Sequence, residues 1–171
     1  MSLLNSILVS VEKDKIYDFK KMSNGTLLVM RMTEIREDYW MHRIFHPLSE
    51  QEINSFEKES NLKFPSIYRE FLSQCNGVFL YGGHFYIYGK AYLEKGMSRE
   101  EQMFQPYDLI EENEDPPCDI PENLFYFGGT PKTIFSLDQD NQVLEMRRKS
   151  GKVLKKWSNM EEWLSEMLLK H

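Results

Sequence analysis

Residues 48–77, LSEQEINSFEKESNLKFPSIYREFLSQCNG, read as two short helices joined by a tight connector. Ser49 is placed to cap the first helix. Glu52, three residues on, can reach back to the amide of the cap, which is the capping-box arrangement. Leu48 and Ile53 have the spacing of a hydrophobic staple, and Phe56 extends their apolar stripe. Asn61 tolerates the left-handed conformation that ends a helix, so the first helix spans about 50–60. Pro65 is preset for the first turn of the second helix. Ile67, Tyr68, Phe71, Leu72 and Cys75 then share one wide face, and Gly77 supplies the positive φ that closes the helix. Two such amphipathic helices at an elbow do not fold alone, so the pattern predicts a sheet beneath them.

The sheet is legible further along. Residues 16–32 are consistent with a hairpin around Asn24-Gly25, although the contiguous Leu27, Leu28, Val29 and Met30 also fit a buried strand or a helical segment. Val78 to Tyr81 and Phe85 to Tyr88 flank Gly82-Gly83 as a short hairpin. Leu124 to Phe127, Thr133 to Leu137, Val143 to Arg147 and Val153 to Trp157 read as successive strands. Their turns fall at Gly128-Gly129, Asp138 to Asn141 and Ser150-Gly151. Ser158 with Glu161 forms a second capping box before a helix striped by Met160, Trp163, Leu164, Met167 and Leu168. The expected fold class is α+β: one domain over 1–171, with an antiparallel or mixed central sheet and helices packed on one face. Residues 1–45 form an N-terminal elaboration of uncertain structure.

Between Glu94 and Glu122 lie ten acidic residues and two basic ones, Lys95 and Arg99, whereas the rest of the chain carries 17 acidic and 19 basic groups. The net charge of −6 is therefore the property of one segment. Pro106, Pro116, Pro117 and Pro121 interrupt that segment, and Glu111 to Asp115 reads as a loop. No apolar run is long enough for a membrane span. The first residues lack the basic region and cleavage site of a signal peptide, and Cys75 and Cys118 do not suggest a disulfide framework. A cytoplasmic protein is expected.

The helical elbow resembles the signature of the SUKH superfamily, which groups the Smi/Knr regulators of cell-wall synthesis with many bacterial immunity proteins. Glu52, Phe56, Glu57, Phe64, Pro65, Tyr68, Phe71, Leu72, Asn76 and Gly77 match that pattern. The chain departs from it at Ser60 and Asn61, where Leu-Gly is usual, at Phe64 in place of Leu, and at Val78 in place of a frequent second Gly. The resemblance implies a SUKH-like fold, no catalysis and no cofactor, and a protein partner.

Motifs for catalysis or metal binding are incomplete. Asp138, Asp140 and Gln142 begin like a calcium loop, but Val143 and Lys149 stand where glycine and a bidentate glutamate are required. Gly128 to Thr133 holds a Lys-Thr pair after glycines without the rest of a phosphate loop. His42 and His46 have the spacing of a zinc protease motif, yet Arg43 replaces the general base and Pro47 disfavours a helix. Neither His84 nor Cys75 has a signalled catalytic neighbour.

The acidic segment is the candidate binding site, with Tyr107, Asp108, Glu111, Glu112, Glu114 and Asp115 as contact residues. Carboxylates among aromatics would dock on a basic surface such as the one with which a nuclease holds phosphates. The expectation is an immunity protein that neutralises a toxin, a nuclease being the expected partner, with no membrane and no direct nucleic acid bound. The alternative is a scaffold or regulator of Smi/Knr type. A small hydrolase using His84 or Cys75 is the third reading. The cations Arg147, Arg148, Lys149, Lys152, Lys155 and Lys156 read as a solvated sheet face.

Overall fold

A computed structural model describes residues 1–171. Nine strands lie in chain order across one sheet, each antiparallel to the next. They are β1 (Phe19–Lys21), β2 (Leu27–Arg31), β3 (Trp40–Ile44), β4 (Val78–Leu80), β5 (Phe85–Ile87), β6 (Phe125–Gly129), β7 (Thr133–Leu137), β8 (Val143–Arg147) and β9 (Val153–Trp157). Helix α1 (Leu3–Val11) precedes them. Helices α2 (Glu50–Ser60) and α3 (Ser66–Gln74) separate β3 from β4, α4 (Arg99–Met103) and α5 (Leu109–Glu114) separate β5 from β6, and α6 (Met160–Leu169) follows β9. The class is α+β, and the sheet is antiparallel. Its only parallel element is an isolated bridge between Gly89 and Asp108.

The register defines two faces. Val78, Ile87, Gly128 and Phe135 follow one another across one of them, and Phe79, Tyr86, Gly129 and Ile134 across the other. On the first face Trp163 of α6 meets Phe85, Phe127 and Phe135 at centroid distances of 6.1, 5.2 and 5.0 Å. Phe64 and Tyr68 lie 5.6 and 4.9 Å from Phe125. Phe56, Tyr68, Phe71 and Leu72 have no exposed surface. Each such side chain contributes about 1.5–3 kcal/mol by leaving water, so the elbow is held by its apolar faces. Helix α1 adds Leu3, Ile7 and Val11 to the same core.

The caps explain the ends of α2. Ser49 and Glu52 form the expected box, and Asn61 takes the left-handed conformation with φ 56°. Glu57 closes the connector by accepting the Phe64 amide at 2.6 Å and pairing with Arg69 at 3.2 Å. Several expectations need correction. Helix α3 stops at Gln74, with Cys75 extended. Gly77, at φ 86°, instead immediately precedes β4, where a Cβ would lie 2.7 Å from the carbonyl oxygen of Ile87. Gly128 and Gly129 lie inside β6, so the turn falls at 130–132. The last helix is capped by Asn159 rather than Ser158, because its side chain accepts the Glu162 amide at 2.8 Å. Glu111 to Asp115, expected as a loop, is mostly the helix α5, because Asp108 caps it and Leu109 anchors it.

Residues 1–45 are α1 and the first three strands, which extend the sheet. The hairpin at Asn24-Gly25 is present with a five-residue connection, 22–26. His42, expected beside His46 on the surface or in packing, is buried in β3. Its Nδ1 accepts the Tyr81 amide at 3.2 Å, so Nε2 carries the proton given to Asp14 at 3.0 Å. Burial lowers the pKa of His42, against the pull of Asp14, and protonating Nδ1 would break the Tyr81 bond. Burial lowers the pKa of His46 as well.

Because unfolded histidines still take up protons near pH 6.5, the unfolded state binds more protons than the folded state just below that value. The histidine contribution to stability is therefore complete at neutral pH and is lost on acidification below about pH 6.5. Urea midpoints measured across this window should decline. An NMR titration should show the His42 ring still neutral, with its proton on Nε2, below the pH at which free histidine charges.

Candidate functional site

Residues 90–123 form a strap that leaves β5, crosses the second face of the sheet and rejoins it at β6. Helices α4 and α5 thus cover the side opposite the other four. The crossing begins at a clamp. The Asn76 side chain, fully buried, donates from Nδ2 to the Lys90 carbonyl and accepts the Lys90 amide at Oδ1, both at 2.7 Å. At Gly89 the backbones come so close that a Cβ would lie 2.2 Å from the Asn76 carbonyl oxygen, so only glycine fits there.

Beyond the clamp the chain runs out toward β1. Ser98 and Glu101 box the start of α4, and Glu100 pairs with Lys20. Phe104 enters a small core with Met22, Leu28, Trp40 and Phe45. The Arg43 guanidinium stacks 4.4 Å from the Phe79 ring and 5.7 Å from Phe104. The return is closed by the Gly89 amide donating to the Tyr107 carbonyl at 3.0 Å and the Leu109 amide to the Gly89 carbonyl at 2.9 Å. Asp108 is the joint. Its Oδ2 accepts the Ala91 amide at 2.9 Å, and its Oδ1 accepts those of Ile110 and Glu111 at 2.8 and 3.2 Å.

Helix α5 then lies over three tyrosines. Asn113 donates to the Tyr126 carbonyl at 3.0 Å, the Tyr88 and Tyr126 hydroxyls are 2.6 Å apart, and Arg148 donates to the Tyr86 hydroxyl at 2.6 Å. Burial pushes the Tyr126 phenol up to about 12 and raises the Glu112 carboxyl above its ordinary value. Arg148 and the Tyr88 hydroxyl oppose the shift at Glu112.

The six candidate contact residues therefore divide. Tyr107, 48% exposed, leans edge-on against Tyr86 at 5.0 Å and Phe79 at 6.1 Å. Glu111, Glu114 and Asp115 are exposed and enter no ion pair. Asp108 and Glu112 turn to internal tasks, the first as a cap and the second half-buried. The outer surface of the strap is thus a set of free carboxylates beside one aromatic ring, an arrangement suited to binding a cationic surface and lacking a nucleophile and its base.

The other motifs are occupied by structure. Thr130 Oγ1 accepts the amides of Lys132 and Thr133 at 3.2 and 3.0 Å, so those donors cannot cradle phosphate. Asp138 Oδ1 accepts the amides of Asp140 and Gln142, both at 2.9 Å, as a turn residue does. Cys75 is buried with its thiol pushed up, and it donates to the Gly77 carbonyl. His84 neighbours His171, with ring centroids 5.4 Å apart. Sequence reasoning missed Asn76, Arg43 and Arg148. In the sequence Asn76 stands out only as part of the family pattern, and the alternation of Tyr86 and Tyr88 is the available sign that the second face is covered.

A family model described as the SMI1 / KNR4 family (SUKH-1) matches residues 47–166. That span includes the elbow, the clamp and the whole strap, and leaves out the first three strands. No curated protein matches the chain.

Asn76→Ala should cost about 1–3 kcal/mol, because two buried partners on Lys90 are left unmet. Hydrogen exchange should accelerate across 89–108 while the amides of β7 and β8 stay protected. Glu112→Gln should stabilise the protein at pH 7 and reduce the loss of stability on raising the pH through the carboxyl range. The raised carboxyl makes the folded state the better proton binder there, so ionisation works against folding. Thermal unfolding at pH 4 to 7 measures this.

Proposed function

We infer function from the premise that the chain belongs to the SMI1 / KNR4 family (SUKH-1): it is a non-catalytic, cytoplasmic immunity protein that neutralises a toxin, a nuclease, by binding it through the strap. No helix is long and apolar enough to cross a membrane. The observation that carries this reading is the row of exposed, unpaired carboxylates at Glu111, Glu114 and Asp115 beside Tyr107, on a segment tied down at both ends.

A nuclease must present cations to hold a polyanion. Carboxylates fixed in space compete for those cations without the cost of ordering a flexible loop. Exposed ion pairs contribute at most about 1 kcal/mol each, so they set the association rate and its salt dependence more than the lifetime of the complex. Tyr107 supplies contact area with few rotatable bonds, as aromatic anchors do at interfaces. Asp108 acts indirectly, by capping the helix that carries the others.

Affinity capture from source lysate in low and high salt should yield a basic partner, retained only in low salt. With that partner purified, Glu111→Gln, Glu114→Gln and Asp115→Asn together should slow association by about tenfold at low ionic strength and flatten its salt dependence. Tyr107→Ala should instead speed dissociation. An association rate unchanged in the triple variant would refute this placement. A captured partner from envelope synthesis, without toxicity, would favour the scaffold or regulator of Smi/Knr type.

A further inference from the structure

The β8–β9 hairpin carries an opposite charge. Arg147, Lys149, Lys152 and Lys156 are exposed and enter no ion pair, whereas Lys155 is held by Glu166 and Arg148 by Tyr86. This basic end abuts the acidic strap. A Cβ on Gly151 would lie 3.3 Å from the Asp119 carbonyl oxygen and 3.4 Å from the Cys118 sulfur. The two patches meet through Tyr107, which leans on Tyr86, whose hydroxyl accepts from Arg148. Val153 and Leu154, 45% and 44% exposed, add apolar surface on β9, the last strand of the sheet.

We propose that this face binds a second copy of the chain about a two-fold axis, with the strap of each protomer on the β8–β9 hairpin of its partner. Neighbouring patches of opposite sign are exchanged by such a rotation, so each copy makes the same two contacts. Direct pairing of one β9 with another is opposed, because lysines would stand against lysines. A polyanion is repelled by the adjoining carboxylates. The dimer is weak and salt-sensitive, since its charges remain near water, and Tyr107, Val153 and Leu154 provide the apolar contact. It rests on the strap being a docking surface, as in the function proposed above. In that setting the hairpin of a second copy covers the strap until a more strongly cationic partner displaces it.

Sedimentation of the purified chain tests this without any foreign partner. In about 20 mM salt the wild type should dimerise below about 0.5 mM, and in about 500 mM salt its dissociation constant should rise at least about tenfold. Reversing the strap (Glu111→Lys, Glu114→Lys, Asp115→Lys) or the hairpin (Lys149→Glu, Lys152→Glu, Lys156→Glu) should give monomers with unchanged thermal stability. Mixing the two variants should restore a one-to-one dimer, because both contacts become complementary again. Glu70→Lys, a reversal elsewhere, should leave the wild-type dimer intact. The proposal is overturned by a wild type that stays monomeric at low salt, by a dimer indifferent to either reversal, or by a mixture that stays monomeric. None of these outcomes touches binding to a foreign cationic protein, which the triple neutralisation tests separately.

Discussion

The two hydrogen bonds between the Asn76 amide and the peptide of Lys90 are the constraint on which the cover of the second face depends. Asn76 ends the stretch that carries the helical elbow, and Lys90 opens the strap, so one buried side chain joins the two layers on opposite sides of the sheet. An asparagine can do this because its amide offers a donor and an acceptor in one plane, matching the carbonyl and amide of a peptide unit. Aspartate lacks the donor, and glutamine would need room that the close approach at Gly89 denies. Glycine at 77 and at 89 is the corollary, since backbone then runs against backbone on both sides of the clamp.

The strap solves a problem that the sheet creates. With nine strands and helices on one side, the second face would expose Leu28, Phe79, Tyr86, Tyr88, Tyr126 and Ile134 to water. Phe104, Leu109 and the ring of Tyr107 cover part of that surface, while charges face outward. The acidic residues thus have two kinds of work. Asp108 and Glu101 serve the strap itself, Glu112 is half-buried in it, and Glu111, Glu114 and Asp115 are left over. A run of like charge is tolerable because helix N-termini absorb part of it and the remainder is solvated.

Where the chain speaks through short-range chemistry, the sequence was legible. The Ser49–Glu52 box, the left-handed Asn61 and strands β7, β8 and β9 were readable at their observed bounds, because caps and alternation act within a few residues. Where partners lie far apart in sequence, it was not. The role of Asn76 depends on a residue fourteen positions later, and Asp108 serves Ala91 seventeen positions earlier, so neither leaves a periodic trace. Residues 111–115 looked like a loop because five polar residues between prolines carry no apolar stripe; the helix exists through its cap and through Leu109. The pairing of His42 with Asp14 could not be read for the same reason. The acidic segment was legible from its charge, and its division into inward and outward carboxylates came from the fold.

At the clamp the strap is held through main-chain atoms of its own, the peptide of Lys90, the carbonyl of Tyr107 and the amide of Leu109, and elsewhere through the inward side chains of Phe104, Gln105, Asp108, Leu109 and Asn113. Grips on backbone are blind to the side chain that follows the Cα. Most outward positions between 90 and 115 can therefore drift in sequence without loosening the segment, and a lineage of such proteins can rewrite this outer surface while its scaffold stands still.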